Sequence, residues 1–423
     1  MLAAMSTAPV PPSPEAAAAF RDRGDACPGA LRLHAAGDGA LARVRVPGGV
    51  LSVDQARALG QAALELGDGE LHLTSRGNVQ LRGLAGGCGG ELANRLTATG
   101  LLPSARHERI RNIVASPLSG LDADGHTDVR PWLRKLDALL CASDTATGLS
   151  GRFLFALDDG RGDVAGLDAD VTVRAAPDGN AWMRIGSCGR LARVSADEAP
   201  AAALLAAEAF LKASRGQAWR VAELPDRGDG LAAEVVRWTP AASSVVAPWP
   251  VGAQPRPGAI AHSGGVSVLA PLGRVSAVQW AELTAAASHE LRLTPWRGVV
   301  LPATPAKRLT DLAATGLITD PASAWLRVGA CIGRPGCAKS RADVRADAVG
   351  ALGASGSLPV YLSGCERRCG RPLGDHVDAV ATGDGGYRIT AVRGGREGTA
   401  RTIDDPSQLA AALAAASTDP TDD

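Results

Sequence analysis

The chain has 423 residues, enough for roughly two to three domains with a substantial core. Its 44 Lys and Arg balance 44 Asp and Glu, which excludes the broad basic footprint of a general nucleic-acid binder. No apolar run approaches a membrane span, and the opening MLAAMSTAPVPPSPEAAAAF lacks both a basic start and a continuous apolar stretch, so residues 1–25 read as the disordered tail of a cytoplasmic protein.

The first compact segment, residues 26–104, reads as strand, helix, strand, strand, helix. Residues 42–46 alternate and stop at Pro47-Gly48-Gly49, and 53–66 carry helical periodicity. Short strands are expected over 70–73 and 78–82, then a helix over 91–98 that Gly100 ends. Residues 105–239 read as a larger α/β domain, with helices at 132–141 and 201–212 and strands at 153–157, 171–175 and 181–185. The stretch 240–258, rich in Ser, Ala and Pro, reads as a linker.

Residues 259–320 then repeat the first segment. Glu70-Leu71-His72-Leu73-Thr74 and Val79-Gln80-Leu81 align without a gap to Glu290-Leu291-Arg292-Leu293-Thr294 and Val299-Val300-Leu301. Upstream, Pro47 to Gln55 answers Pro271 to Gln279, and downstream Ala98-Thr99-Gly100-Leu101 answers Ala314-Thr315-Gly316-Leu317. Three ordered blocks point to duplication of half a ferredoxin-like sandwich, the halves paired about a pseudo-two-fold axis. Residues 321–416 form a second α/β domain, and 417–423 an acidic tail. The fold class is therefore α+β: two ferredoxin-like half-domains with two larger α/β domains around a central cleft.

Four of the eight cysteines fall in this last domain as Cys331-Ile-Gly-Arg-Pro-Gly-Cys337 and Cys365-Glu-Arg-Arg-Cys369. Two close pairs can place four thiolates around a [4Fe–4S] cluster. Zinc more often takes Cys-x2-Cys pairs, and disulfides need an oxidising compartment that nothing in the sequence suggests. Cys88, Cys141, Cys188 and Cys27 have no partner motif. No nucleotide-binding glycine fingerprint precedes a helix, so electrons would come from an external donor or reductase.

The block Leu-Thr-Ser-Arg-Gly-Asn-Val-Gln-Leu, the duplicated half-domain and the cysteine quartet together resemble the sulfite and nitrite reductase superfamily over most of the chain. In that superfamily a sirohaem shares a cysteine with the cluster, and Cys369 matches the shared position. Within it, Asp25-Ala26-Cys27-Pro28-Gly29 and Arg43-Val44-Arg45-Val46-Pro47-Gly48-Gly49 are similar to the precorrin-3B synthase family. That resemblance implies hydroxylation of precorrin-3A at C20 by dioxygen, with closure of a γ-lactone. It also implies a mononuclear iron centre in some members, for which the sequence offers only His34, His72 and His107 as neighbouring candidates.

An acidic tetrapyrrole needs convergent cations, and all but four of the basic residues are arginines, whose planar fork suits carboxylates. The resemblance assigns Arg43, Arg76 and Arg111 to positions facing the macrocycle. Arg45 and Arg109 are expected to face the same way by strand alternation, and Thr74 and Asn78 supply short polar groups beside Arg76. Arg43, Arg111 and Arg152 are the expected catalytic set; Arg45, Thr74, Arg76, Asn78 and Arg109 the expected substrate-binding set. Sulfite reductases carry two proton-donating lysines where this chain has Arg152 and Leu154, a departure that disfavours multi-proton reduction of an oxyanion. A sirohaem-dependent sulfite or nitrite reductase is the alternative reading, and a tetrapyrrole carrier or electron-transfer protein a further one.

Overall fold

The computed structural model describes residues 25, 27–239, 242–245, 249, 251–261, 264–354, 356–372, 374–383 and 385–418. The N-terminal tail expected over 1–25 lies outside these but for Asp25. So do 419–423 and parts of the 240–258 linker. Ser417 and Thr418, expected as tail, instead close the helix Leu409–Thr418, where the Ser417 hydroxyl accepts a hydrogen bond from the Leu358 amide.

The observed architecture is α+β, built among the described residues from four sheets. The first orders His34–Ala36, Gly39–Val44, Val79–Leu84, Leu71–Leu73 and Arg274–Val275. The third orders Gly258–Ala259, Val266–Leu269, Gly298–Leu301, Glu290–Leu293 and Val50–Ser52. Each repeat thus lends one short strand to the other's sheet: Leu51 pairs with Leu291, and Val275 with Leu71. The repeats share one hydrophobic core, in which Leu51, Leu59, Leu71 and Val79 pack with Val275, Trp280, Leu291 and Val299.

The local chemistry is duplicated too. Ser52 caps the helix Val53–Leu66 in a capping box with Gln55, and Ser276 caps Ala277–Ala286 with Gln279. Each glutamine also donates from Nε2 to the carbonyl that caps the second helix of its repeat, at Thr99 and Thr315. Ahead of each cap the chain turns through positive φ, at Gly48 and Gly49 and at Leu272 and Gly273. A Cβ on Gly49 would lie 2.0 Å from the Leu293 carbonyl oxygen, and one on Gly273 2.8 Å from that of Leu73. Only glycine lets the two repeats approach this closely.

The two larger sheets share a plan as well. Ile113–Ala115, Phe155–Asp158 and Val171–Ala175 run parallel and meet Asn180–Ile185 antiparallel; Val328–Ala330, Val360–Ser363, His376–Gly383 and Gly386–Arg393 do the same. The helices Arg130–Ala142 and Val344–Gly350 link the first two strands of each. No described helix is long and apolar enough to cross a membrane.

Candidate functional site

The cysteine quartet is organised by parallel strand ends. Ala330 and Leu362 are register partners, and the Cys331 amide continues the ladder by donating to the Leu362 carbonyl at 3.0 Å. Both strands stop here, so Cys331 and Cys365 leave the same edge of the sheet in adjacent loops, and the Gly364 amide points at Cys331 Sγ at 3.2 Å. Cys337 follows one tight turn later, its amide bonded to the Gly333 carbonyl. None of the four cysteines is in a disulfide. Burial pushes the Cys369 thiol up; Arg367 opposes this, and the neighbouring Cys331, Cys365 and Cys337 add to it, so the four sulfurs share one electrostatic environment. Four soft thiol donors on two loops, with an amide aimed at one sulfur, fit an iron–sulfur cluster.

The equivalent place in the first α/β segment is instructive. There the Ser116 amide donates to Leu157 at 3.0 Å, and the Asp159 amide points at Ser116 Oγ at 3.1 Å, matching Cys331, Leu362 and Gly364 step for step. Its loop holds carboxylates instead of thiols: Asp158 accepts from the amides of Gly160, Gly162, Val164 and Ala165.

Beside the quartet, where the four sheets meet, lies a cleft of about 770 Å³. The turn Ser75–Arg76 of the first repeat and the turn Pro295–Arg297 of the second face it, as do Leu154, Arg220, Tyr361 and the loop just after Cys369. Arg76 is largely buried and donates to the Arg152 carbonyl at 3.2 Å. Burial, then the nearby charges of Arg220 and Arg43, pushes it down to about 10. Among the described residues neither Arg76 nor Arg297 has a carboxylate within ion-pair distance, and the Arg43 Nε near Arg76 has no hydrogen-bond partner. Buried cations without counter-ions are costly unless an anion arrives.

The expected site residues divide. Arg76 and Leu154 line the cleft; Arg43 does not, but lies near enough for its charge to act on Arg76. Thr74 shapes the turn that presents Arg76, its Oγ1 accepting from the amides of Arg76 and Asn78. Asn78 ties strands together, accepting from the Val46 amide and donating to Asn112. Arg152 stacks over Trp219, 4.4 Å from the ring centroid. Arg109 holds Asp25, 3.2 Å from its carbonyl.

Arg111 and Arg45 depart from expectation. Residues 109–112 precede the strand Ile113–Ala115, so strand alternation does not apply to them. Arg111 turns instead to the helix Arg130–Ala142 and grips Asp137 with two bonds of 2.7 Å. Arg45, past the end of its strand, spends its guanidinium on the carbonyls of Arg109 and Gly151 and on Asn112. Neither lines the cleft.

Of the histidines, His107 is bonded to Ser104 and the Ser143 carbonyl, and His34 lies on the edge strand. His72 Nε2 sits 3.7 Å from Asp68 and 3.9 Å from Glu70. That trio is a poor iron site, because Arg274 holds both Glu70 oxygens at 2.5 Å and Arg345 faces His72 Nδ1 at 3.2 Å. The sequence reading missed Arg220, Arg297 and Trp296 in the cleft wall. Trp296 and Arg297 sit in the repeat beside the aligned Thr294, so comparing the two turn tips would have found them.

Known proteins share parts of this sequence and its fold. The family model for the nitrite/sulfite reductase ferredoxin-like half domain matches residues 33–98. A precorrin-3B synthase of Sinorhizobium sp is 28% identical over 97% of this chain and 92% of its own. A ferredoxin–nitrite reductase of Synechococcus elongatus is 35% identical over 127 residues, which cover 29% of this chain and 25% of that enzyme. The solved structure of the Mycobacterium tuberculosis NirA protein superposes with a TM-score of 0.68 at 20% identity, covering 88% of this chain and 79% of that one. Residues 33–98 are thus similar to a nitrite/sulfite reductase ferredoxin-like half domain, and nearly the whole chain is similar to a precorrin-3B synthase.

Proposed function

We propose that this chain is a precorrin-3B synthase: it hydroxylates precorrin-3A at C20 with dioxygen and closes the γ-lactone, as the name of its near-full-length Sinorhizobium relative suggests. The observation that carries the reading is the cleft, with Arg76 and Arg297 as half-buried cations lacking carboxylate partners among the described residues. A tetrapyrrole with acetate and propionate arms supplies those partners, and its apolar ring suits Trp296 and Leu154.

Cys331, Cys337, Cys365 and Cys369 would hold one [4Fe–4S] cluster, which when bound supplies electrons drawn from an external reductase. The chain's own residues do the rest. Arg76 and Arg297 fix opposite arms of the macrocycle from the two repeat turns, so that one meso carbon is presented and not the others. Arg43, near Arg76, keeps that wall positive. Leu154 closes the wall against water, where a lysine would deliver protons to an oxyanion. That apolar residue also weighs against the alternative, sirohaem-dependent reduction of sulfite or nitrite, for which the local similarity to nitrite reductases is the supporting observation.

The test supplies reduced protein with precorrin-3A and labelled dioxygen, and weighs the product by mass spectrometry. One retained label is expected. Absence of hydroxylated product, with sulfite turnover and a bound sirohaem, would move the assignment to the reductase.

A further inference from the structure

Arg297 differs from Arg76 and Arg220 in what its guanidinium reaches behind the cleft wall. It occupies a left-handed backbone position, φ +64, at the turn where the first repeat has Gly77, also at φ +64. A non-glycine residue pays for that conformation, and such strain persists only where surrounding contacts hold it. The contacts here lead to the cysteine loops. Arg297 Nη2 donates at 3.4 Å to the carbonyl of Ala330, the residue before Cys331, and at 3.4 Å to Tyr361 Oη. Tyr361 Oη in turn donates to the carbonyl of Cys369 at 2.7 Å.

Tyr361 is buried, and the Cys369 carbonyl fixes the direction in which its hydroxyl donates. The space around this chain of contacts is kept open by glycine. A Cβ on Gly329 would strike the Tyr361 ring at 2.8 Å, and one on Gly370 would come within 2.7 Å of Tyr361 Oη. One guanidinium therefore faces the cleft on one side and reaches the backbone beside two of the four cysteines on the other. Arg76, its counterpart across the cleft, ends on the Arg152 carbonyl and makes no such connection.

We propose that Arg297 is a positioning residue that couples occupancy of the cleft to the cluster held by Cys331, Cys337, Cys365 and Cys369, so that a bound carboxylate lowers the cluster's reduction potential. This rests on the tetrapyrrole reading of the cleft. The physical basis is charge and hydrogen bonding near the sulfurs, which set cluster potentials. With the cleft empty, the Arg297 charge favours the reduced, more negative cluster. A carboxylate that pairs with Arg297 neutralises that charge and draws its Nη2 away from the Ala330 and Tyr361 oxygens. By linkage the oxidised protein then binds the occupant more tightly by the same factor.

The experiment uses the full chain with its cluster reconstituted anaerobically and uroporphyrin III, an unreactive tetrapyrrole with acetate and propionate arms, as probe. Binding is followed by probe fluorescence, and the cluster potential by a redox titration read by electron paramagnetic resonance. Wild type should shift downward by about 59 mV at saturation, a tenfold linkage for a one-electron couple. Arg297→Gly, which relieves the backbone strain, should bind the probe more weakly and lose most of that shift when saturated. Tyr361→Phe should bind it normally and lose part of the shift. Arg76→Ala should bind weakly yet keep the full shift at saturation. A wild-type shift retained in both Arg297→Gly and Tyr361→Phe overturns the coupling, as does saturable binding with no shift at all, and both leave the tetrapyrrole reading standing. Failure of wild type to bind the probe overturns the two together.

Discussion

Trp280 Nε1 donates to the carbonyl of Ala56 at 2.7 Å, joining the helix of one repeat to the helix of the other across 224 residues of sequence. Trp280 also fills the shared core, and its ring closes over Gly60, where a Cβ would lie 2.7 Å away. Trp280→Phe should cost about 1 kcal/mol for the lost hydrogen bond, and Trp280→Ala about 3–5 kcal/mol for the cavity. Denaturant midpoints of the purified variants check both values.

Ligation of the cluster is tested by composition. Cys→Ser at 331, 337, 365 or 369 should remove most of the iron and acid-labile sulfide and lower stability, because metal binding and folding are coupled. Cys141→Ser and Cys88→Ser should keep full iron. Iron retained in a quartet variant but lost from Cys88→Ser would contradict the assignment.

Arg76 and Arg111 should part company. Arg76→Ala is expected to weaken tetrapyrrole binding by about 1.5–3 kcal/mol, the scale of a charged hydrogen bond. Arg111→Ala leaves the half-buried Asp137 without its partner and should cost about 1–3 kcal/mol of stability, with no direct effect on affinity. Calorimetric binding and thermal unfolding, run on both variants, separate the roles.

Asp163 predicts a pH dependence. It lines the cleft with Oδ2 lacking a hydrogen bond and only Arg161 Nε at 4.0 Å, and burial pushes its carboxyl up to about 7; the Ser116 hydrogen bond opposes this, Asp158 and Asp159 add to it, and Arg161 opposes it. The folded chain then keeps a proton that the unfolded chain releases near its ordinary value of about 3.9. Between these limits the folded state binds more protons, so this residue's contribution to stability falls as pH rises towards 7 and is level beyond it. Asp163→Asn should remove that part of the slope. Urea midpoints across the window, compared between wild type and variant, read it directly.

Much of this was legible in the sequence, for reasons that also explain what was not. The helix Val53–Leu66 follows from its periodicity and its Ser52–Gln55 cap, and the cysteine spacing exposes the quartet before any fold is known. Strand edges such as Gly39–Val44, expected at 42–46, drift by a few residues because pairing partners decide where a ladder ends. Val50–Ser52 could not be read at all: three residues carry no periodicity, and nothing local says that they belong to the other repeat's sheet. Arg111 and Arg76 look alike as motif residues. What separates them is the presence of Asp137 on a neighbouring helix face, a contact set by tertiary packing.

The exchanged strands have a consequence for how the molecule is made. Leu51 cannot find its ladder partner until Leu291 has been synthesised, and Glu70 waits for Arg274, 204 residues downstream. Neither small sheet can be completed on the ribosome while the intervening α/β segment is still emerging. That segment has its own separate core and is free to fold first. Loop closure over such distances is slow, so the early chain exposes two incomplete sheet edges for the longest part of its synthesis. A fragment ending before residue 270 should for that reason aggregate through the uncovered edge of Leu71–Leu73 rather than persist as a folded half-molecule.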